Sequence, residues 1–263
     1  MRTVFAILVG SMALLASVAG QQAPARTLVA VYAHPDDESS ASPILARYAR
    51  EGVKVHLIIV TDGAAGGQNT TIPRGAELAR ARAEEARCAT GALGAAPPIL
   101  LEFPDGQLGN YADDPLRLFK VTQRVQEELQ RLRPDALITW GPDGGTGHPD
   151  HRLVSAVVTQ LVRTGAPGVP ERLFYASLPE AAMKVANPRG APPMLIPDAK
   201  HLTTRVPFTP ADLESARRSL SCHKTQFPAD VIARVAESAK AVWNGVVPLS
   251  PAFASAGKDD LFR

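Results

Sequence analysis

The chain has 263 residues, 45% of them hydrophobic and 21% charged, and carries a formal charge of +2 at pH 7. This length and apolar content suffice for a well-buried globular domain, which excludes a disordered chain or a small disulfide-stapled one. The near-balance of charge, without a basic run or an aromatic-interleaved basic patch, sets nucleic acid aside as a partner.

Residues 1–20 are read apart from the fold. Arg2 precedes an apolar stretch from Val4 to Ala19, with small residues at Ser17, Ala19 and Gly20. A charged start, an apolar middle and a small-residue cleavage site form the layout of a secretory signal peptide, cut after Ala19 or Gly20. The apolar run is shorter than the ~20 residues a membrane span needs, and no later segment is long and apolar enough for one. We therefore expect an exported protein, periplasmic or secreted, with a single domain over residues 24–263.

Strand-like and helix-like segments then alternate. The run Leu28 to Ala33 reads as a buried strand, followed at once by His34-Pro35-Asp36-Asp37-Glu38. Ser42 to Arg50 has helical spacing and a glycine stop at Gly52. Val53 to Val60 is a second strand, closed by Thr61-Asp62-Gly63. A glycine-rich loop from Ala64 to Gly67 leads through Pro73-Arg74 to a helix over about Gly75 to Thr90. Ile99 to Phe103 is a third strand, ending in Pro104-Asp105-Gly106, and Leu116 to Leu132 is an amphipathic helix. Pro134 to Trp140 forms a fourth strand, followed by the loop Gly141 to Gly147, the cluster His148-Pro149-Asp150-His151 and a helix over Arg152 to Arg163. Arg172 to Ala176 is the fifth strand. Residues 181–207, with Pro188, Pro192, Pro193 and Pro197, read as an irregular segment; helices over Pro210 to Lys224 and Ala229 to Trp243 give the chain a helical C-terminal part.

This alternation predicts an α/β fold, a Rossmann-like and mainly parallel sheet with helices on both faces. With the core order 3-2-1-4-5, the loops after the first and fourth strands flank the point where the winding reverses, which is where ligands bind. The two His-Asp clusters follow those two strands. Topology alone thus brings together residues more than a hundred positions apart.

A helix start with acids in its first turn would account for one or two carboxylates in the first cluster, since the dipole favours them. It gives no reason for His34. His34 and Asp37, three apart, can each offer one ligand atom to a common ion, and His151 can add a second nitrogen from the neighbouring loop. Two histidines, one carboxylate and an open position form the usual catalytic zinc arrangement, and the same facial set suits ferrous iron. Such an ion lowers the pKa of water from ~15.7 towards ~7. Asp36 is then free to act as general base, His148 to donate a proton or hydrogen bond to the oxygen and the departing group, and Asp150 to orient an imidazole from behind.

Cys88 and Cys222 have no metal or redox spacing. An oxidising compartment permits a disulfide between them, and two cysteines are too few to decide between that and free thiols.

These residues carry a resemblance. His34 to Glu38, the Thr61 to Gly67 loop with Arg74 and Glu77, the turn Phe103 to Gly106 and Gly147 to His151 together resemble the PIG-L, or LmbE-like, family of deacetylases. The likeness covers most of residues 26–180. It implies a zinc-dependent amidase that removes an acetyl or related acyl group from a small amino-sugar substrate. Under it, His34, Asp37 and His151 match the metal ligands, Asp36 the base and His148 the group that polarises the carbonyl. Arg74 and Asp105 match sugar-contacting positions. Residues 223–226, His-Lys-Thr-Gln, resemble a family segment near the site or a subunit contact, as against a helix-end histidine on the surface. Thr146 departs from the pattern, standing where some relatives carry an aromatic hydroxyl. Cleavage of a larger amide conjugate, and sugar binding without turnover, are the competing readings; oligomeric state is left open. A dinucleotide-dependent oxidoreductase would need a Gly-x-Gly-x-x-Gly turn where His34 to Asp37 stand.

Overall fold

The computed structural model describes residues 25–177, 197–253 and 259–262. The expected signal peptide, and residues 181–196 of the expected irregular segment, lie outside these. Among the described residues no helix is long and apolar enough to cross a membrane.

Seven strands form one sheet in the order β3-β2-β1-β4-β5-β7-β6. Strands β1 (Thr27–Tyr32), β2 (Lys54–Thr61), β3 (Ile99–Phe103), β4 (Ala136–Trp140) and β5 (Leu173–Ala176) are all parallel to their neighbours in that set, so the predicted core order is the observed one. The helices between them are α1 (Ser42–Arg50), α2 (Ala76–Leu93), α3 (Arg117–Leu132) and α4 (Pro149–Arg163).

Strand β1 is the keel of the molecule. All six of its residues are buried, and their alternation divides the core in two. Leu28, Ala30 and Tyr32 face a cluster with Ile44, Leu45 and Tyr48 of α1; Val29 and Val31 face another, with Val121, Val125 and Leu129 of α3 and Val154, Val158 and Leu161 of α4. A strand clothed on both faces has no reason to alternate polar with apolar residues, and this one does not.

The last third corrects the expectation of a purely helical C-terminal part. After a short 3₁₀ turn (Ala199–His201) come β6 (Thr204–Pro207), α5 (Pro210–Leu220), α6 (Ala229–Trp243) and β7 (Val246–Pro251). β7 pairs antiparallel with both β5 and β6. Proline lacks the N–H that a ladder uses and argues against an interior strand, so Pro248 and Pro251 hide β7 from a reading of sequence. β6 falls at the end of the segment expected to be irregular, and only Thr204 and Val206 of its four residues are buried. Helix α5 also stops at Leu220, earlier than expected, and the chain turns through residues 221–227 before α6. Cys88 of α2 and Cys222 of that turn form a disulfide.

Candidate metal centre

The site lies at the carboxyl ends of β1 and β4. His34 leaves β1, and its chain turns so tightly that the Asp37 carboxylate accepts the backbone N–H groups of Ala33 and His34 on one oxygen, at 3.1 and 2.9 Å. From β4, the loop Gly141 to Gly147 delivers His148, whose Nδ1 accepts the Asp150 N–H at 3.2 Å and caps α4. Pro149 begins that helix, where a missing N–H costs nothing. His151 follows in the first turn and stacks on Trp140, with ring centroids 5.1 Å apart.

Three donor atoms meet here. Nδ1 of His34 stands 2.9 Å from Nε2 of His151 and 3.8 Å from Asp37 Oδ2, while His151 Nε2 lies 3.1 Å from Asp37 Oδ1. Outer partners decide which atoms carry protons. His151 Nδ1 faces the Gly144 carbonyl at 2.9 Å, which can only accept, and the Thr146 hydroxyl at 3.1 Å. Its proton is therefore on Nδ1 and its Nε2 lone pair faces the site. On the other ring, His34 Nε2 lies 3.0 Å from Asp105 Oδ1 and 3.5 Å from Asp150 Oδ2, which directs the Nδ1 lone pair inward. Two imidazole lone pairs and a carboxylate thus point at one another. Only a cation or a captured proton relieves that repulsion.

The electrostatics agree. Burial pushes the His34 imidazole down, but the carboxylates of Asp105, Asp150 and Asp37 outweigh it and lift the ring to about 10. Burial likewise opposes ionisation of Asp37, which His151 and His34 nevertheless hold well below the usual carboxylate range. A site this avid for positive charge exchanges its proton for a metal ion when one binds. Two Zn–N bonds of ~2.0–2.1 Å at a tetrahedral angle set nitrogens about 3.3 Å apart, close to the spacing found. The donor set fits a divalent ion with an open position. His148 is a further neighbour: one nitrogen from each of His34, His148 and His151 falls within 4.8 Å of the others.

Asp36 differs from Asp37 beside it. Its side chain keeps 19% of its surface open, and its Oδ1 lies 3.3 Å from Nη2 of the buried Arg82. Burial raises its carboxyl to about 6, with Arg82 pulling against the rise and Asp37 adding to it. His148 is half-buried and held below the ordinary histidine value by burial and by the positive character of His34 and His151. Its Nδ1 already accepts a hydrogen bond, so in the neutral ring Nε2 is the donor.

The match to a family covers this whole constellation. Residues 29–162 match the family model described as PIG-L, GlcNAc-PI de-N-acetylase. The chain belongs to the PIG-L family.

Among curated relatives, a protein of Catenulispora acidiphila named 1D-myo-inositol 2-acetamido-2-deoxy-alpha-D-glucopyranoside deacetylase 2 is 34% identical over 63% of this chain and 62% of its own length. The deacetylase of that name from Rhodococcus jostii is 30% identical over 76% of this chain and 82% of its own. Among solved structures, the N,N'-diacetylchitobiose deacetylase of Pyrococcus horikoshii superposes with a TM-score of 0.61 at 18% identity, covering 87% of this chain and 83% of that one. At that identity the likeness speaks to the fold.

Within this PIG-L domain the sequence-predicted residues divide. His34, Asp36, Asp37, His148, Asp150 and His151 come together. Asp150 is 1% exposed; it accepts the N–H groups of Gly106 and Leu108 and so ties the turn after β3 to the site. Asp105 is brought in, but against His34 and not at an open surface: its second oxygen accepts the Ala65 and Gly66 N–H groups. Arg74 lies exposed at the turn into α2. Arg82 reaches the site from α2, and its guanidinium donates to the carbonyls of Pro35 and Gly63. The glycine-rich loop presses on it so closely that a Cβ at Gly66 would stand 2.6 Å from Arg82 Nη1. In sequence, Arg82 sits in the run Arg80 to Arg87 and passes for a solvated helix face. The signal lay in its spacing, four residues from Leu78 and four from Ala86 on the buried stripe. Glu38 and His223, also buried, pair behind the site at 2.7 Å.

Proposed function

We propose that this protein is a metal-dependent N-deacetylase, using zinc, with ferrous iron as the other ion its donor set suits. Its substrate is a small molecule carrying an N-acetylated amino sugar. The observation that carries the reading is the convergence of two imidazole lone pairs and the Asp37 carboxylate beside a partly open second carboxylate, in a chain whose relatives are named as deacetylases of an acetamido sugar.

A divalent ion would be held by His34, Asp37 and His151 and, when bound, would supply Lewis acidity. Asp36, whose carboxylate is partly open beside the donor set, takes the proton of the attacking water. His148, neutral and with Nε2–H free, donates to the carbonyl oxygen as charge gathers there. The proton held by Asp36 then serves the departing amine. Asp105 and Asp150 hold the His34 ring, and Thr146 and Gly144 hold His151. Thr146, standing where an aromatic hydroxyl would reach the substrate, is occupied with a ligand ring, so oxyanion stabilisation from the protein rests on His148.

We further propose that the protein acts outside the cytoplasm. The apolar, charge-led stretch at residues 1–20 and the Cys88–Cys222 bridge both support this, since cytosolic reductants keep such pairs open.

The test is free-amine release from a panel of N-acetylated amino sugars by the purified chain, chelated and then reloaded with zinc or ferrous iron. Metal-dependent release is expected. Metal bound in stoichiometric amount, with no release from any sugar, would move the reading to larger amide conjugates or to binding alone.

A further inference from the structure

Asp36 has φ 112° and ψ −17°, a left-handed conformation that a residue with a Cβ adopts only when its surroundings insist. Part of this is local, since Asp36 follows Pro35 in a turn that the Asp37 N–H closes on the His34 carbonyl at 3.4 Å, and the third position of such a turn takes positive φ; two groups from outside that turn hold it further. On one side, Arg82 donates to the Pro35 carbonyl and stands beside the Asp36 carboxylate. On the other, the Asp36 N–H donates to Glu38 Oε2 at 3.2 Å. Glu38 is itself gripped through its second oxygen, which accepts from His223 Nε2 at 2.7 Å and from the Ser219 hydroxyl at 3.2 Å. Glu38 is 2% and His223 0% exposed.

A buried ion pair adds little net stability over well-packed apolar groups of the same volume, and its better-attested use is to specify one arrangement. Here the arrangement it specifies is the peptide of Asp36. The histidine arrives from 185 residues downstream, in the turn after α5. That turn is fixed to α2 by the Cys88–Cys222 bridge, and by Thr225, whose N–H and hydroxyl both donate to Glu85 at 2.8 and 2.7 Å. Helix α2 also carries Arg82. One unit, α2 with the turn 222–226, therefore supplies Arg82 directly and anchors Glu38 through His223.

We propose that Glu38 and His223 are positioning residues for the base: their buried pair holds Asp36 left-handed, so that its carboxylate is presented to the reacting water while Asp37, one residue on, faces the ion. This rests on the assignment of Asp36 as base. His223 touches neither the donor atoms nor the opening, so its loss should leave the metal ligands in place.

The experiment compares zinc-loaded wild type, His223→Ala and His223→Gln by kcat, KM, zinc content and crystal structure. His223→Ala is expected to keep stoichiometric zinc and a KM near that of wild type, to lose kcat on the order of 10²-fold, and to release Asp36 from positive φ. Gln, whose amide N–H can still donate to Glu38, should restore both the backbone and most of kcat. Should His223→Ala fail to fold, Glu38→Gln gives the same reading, since its amide cannot accept from Asp36 and His223 equally well. Retention of Asp36 at positive φ with full kcat in His223→Ala would overturn the proposal. So would a joint fall of zinc content, melting temperature and kcat that Gln does not repair. If wild type releases no amine from any sugar, the deacetylase reading fails by itself, and the Asp36 backbone in the variant crystals still decides whether the pair holds it.

Discussion

The two ends of the sheet follow different rules. From β3 to β5 every strand is parallel, each is backed by a crossover helix, and the titratable side chains crowd at the carboxyl ends of β1 and β4 where the winding reverses. Beyond β5 the sheet turns antiparallel, β7 carries two prolines, and neither β6 nor β7 supplies a residue to the cluster. Yet α5, the first of the two helices strung between those strands, runs back across α1 and α2 and ends in the turn that seats Glu38. The first region holds the chemistry, and the second holds the first in place. A difference of that kind predicts that substitutions in the two regions fail in different ways.

The largest effect belongs to the proposed metal ligands. His34→Ala or Asp37→Ala should remove both bound metal and turnover, the latter by more than about 10³-fold, because two of the three donors are too few to hold a hydrated ion. Elemental analysis beside an amine-release assay checks it; full metal content in either variant would break the assignment. Next comes the proposed base. Asp36→Asn tolerates the left-handed backbone and should keep the metal while losing about 10²–10⁴-fold in kcat. Asp36→Ala should add backbone strain to that loss and melt earlier than Asp36→Asn.

At the disulfide of the second region, by contrast, failure should come through stability. Opening the Cys88–Cys222 bridge frees a loop closed across 134 residues, which by chain entropy costs about 3–5 kcal/mol. Cys88→Ser should therefore lower the melting temperature sharply with metal affinity intact, as calorimetry with and without zinc would show. A protein that melts at the same temperature after reduction would argue that the bridge constrains nothing.

The smallest effect lies at the start of α5, where Thr209 and Asp212 form a capping box and Arg50 of α1 grips the same carboxylate at 2.8 and 3.0 Å. Thr209→Ala should cost about 1 kcal/mol. Burial pushes the Asp212 carboxyl up, but Arg50 and Thr209 outweigh it and hold it below the ordinary value. A depressed folded value means that its contribution is present above the unfolded pKa of about 3.9 and is lost as pH falls through the folded one. The penalty of Asp212→Asn should accordingly shrink in acid, which urea titrations at pH 7 and pH 3 can measure.

Several of these sites differ in how plainly the chain announces them. His34, Asp36 and Asp37 lie within one turn of each other, and His148, Asp150 and His151 within another, each after a short apolar strand; spacing alone aligns them. Arg82 looks like its exposed neighbours Arg80 and Arg87 until its 2% exposure is known. Asp105 reads as a turn residue and becomes the partner of His34 only because β3 lies two strands from β1. His223 has the sequence context of a surface helix end.

By itself, the sequence determined the parallel core, its strand order, the family and the six residues that surround the donor cluster. These depend on local periodicity and on connection rules that act between successive elements. Tertiary structure decided the pairing of Cys88 with Cys222, the antiparallel strands β6 and β7, the burial of Arg82 beside the site, and the hold of His223 on Glu38. In each of these the decisive partner comes from a distant segment. Burial and pairing are properties of what the rest of the chain packs against a residue, and no window of neighbouring sequence contains them.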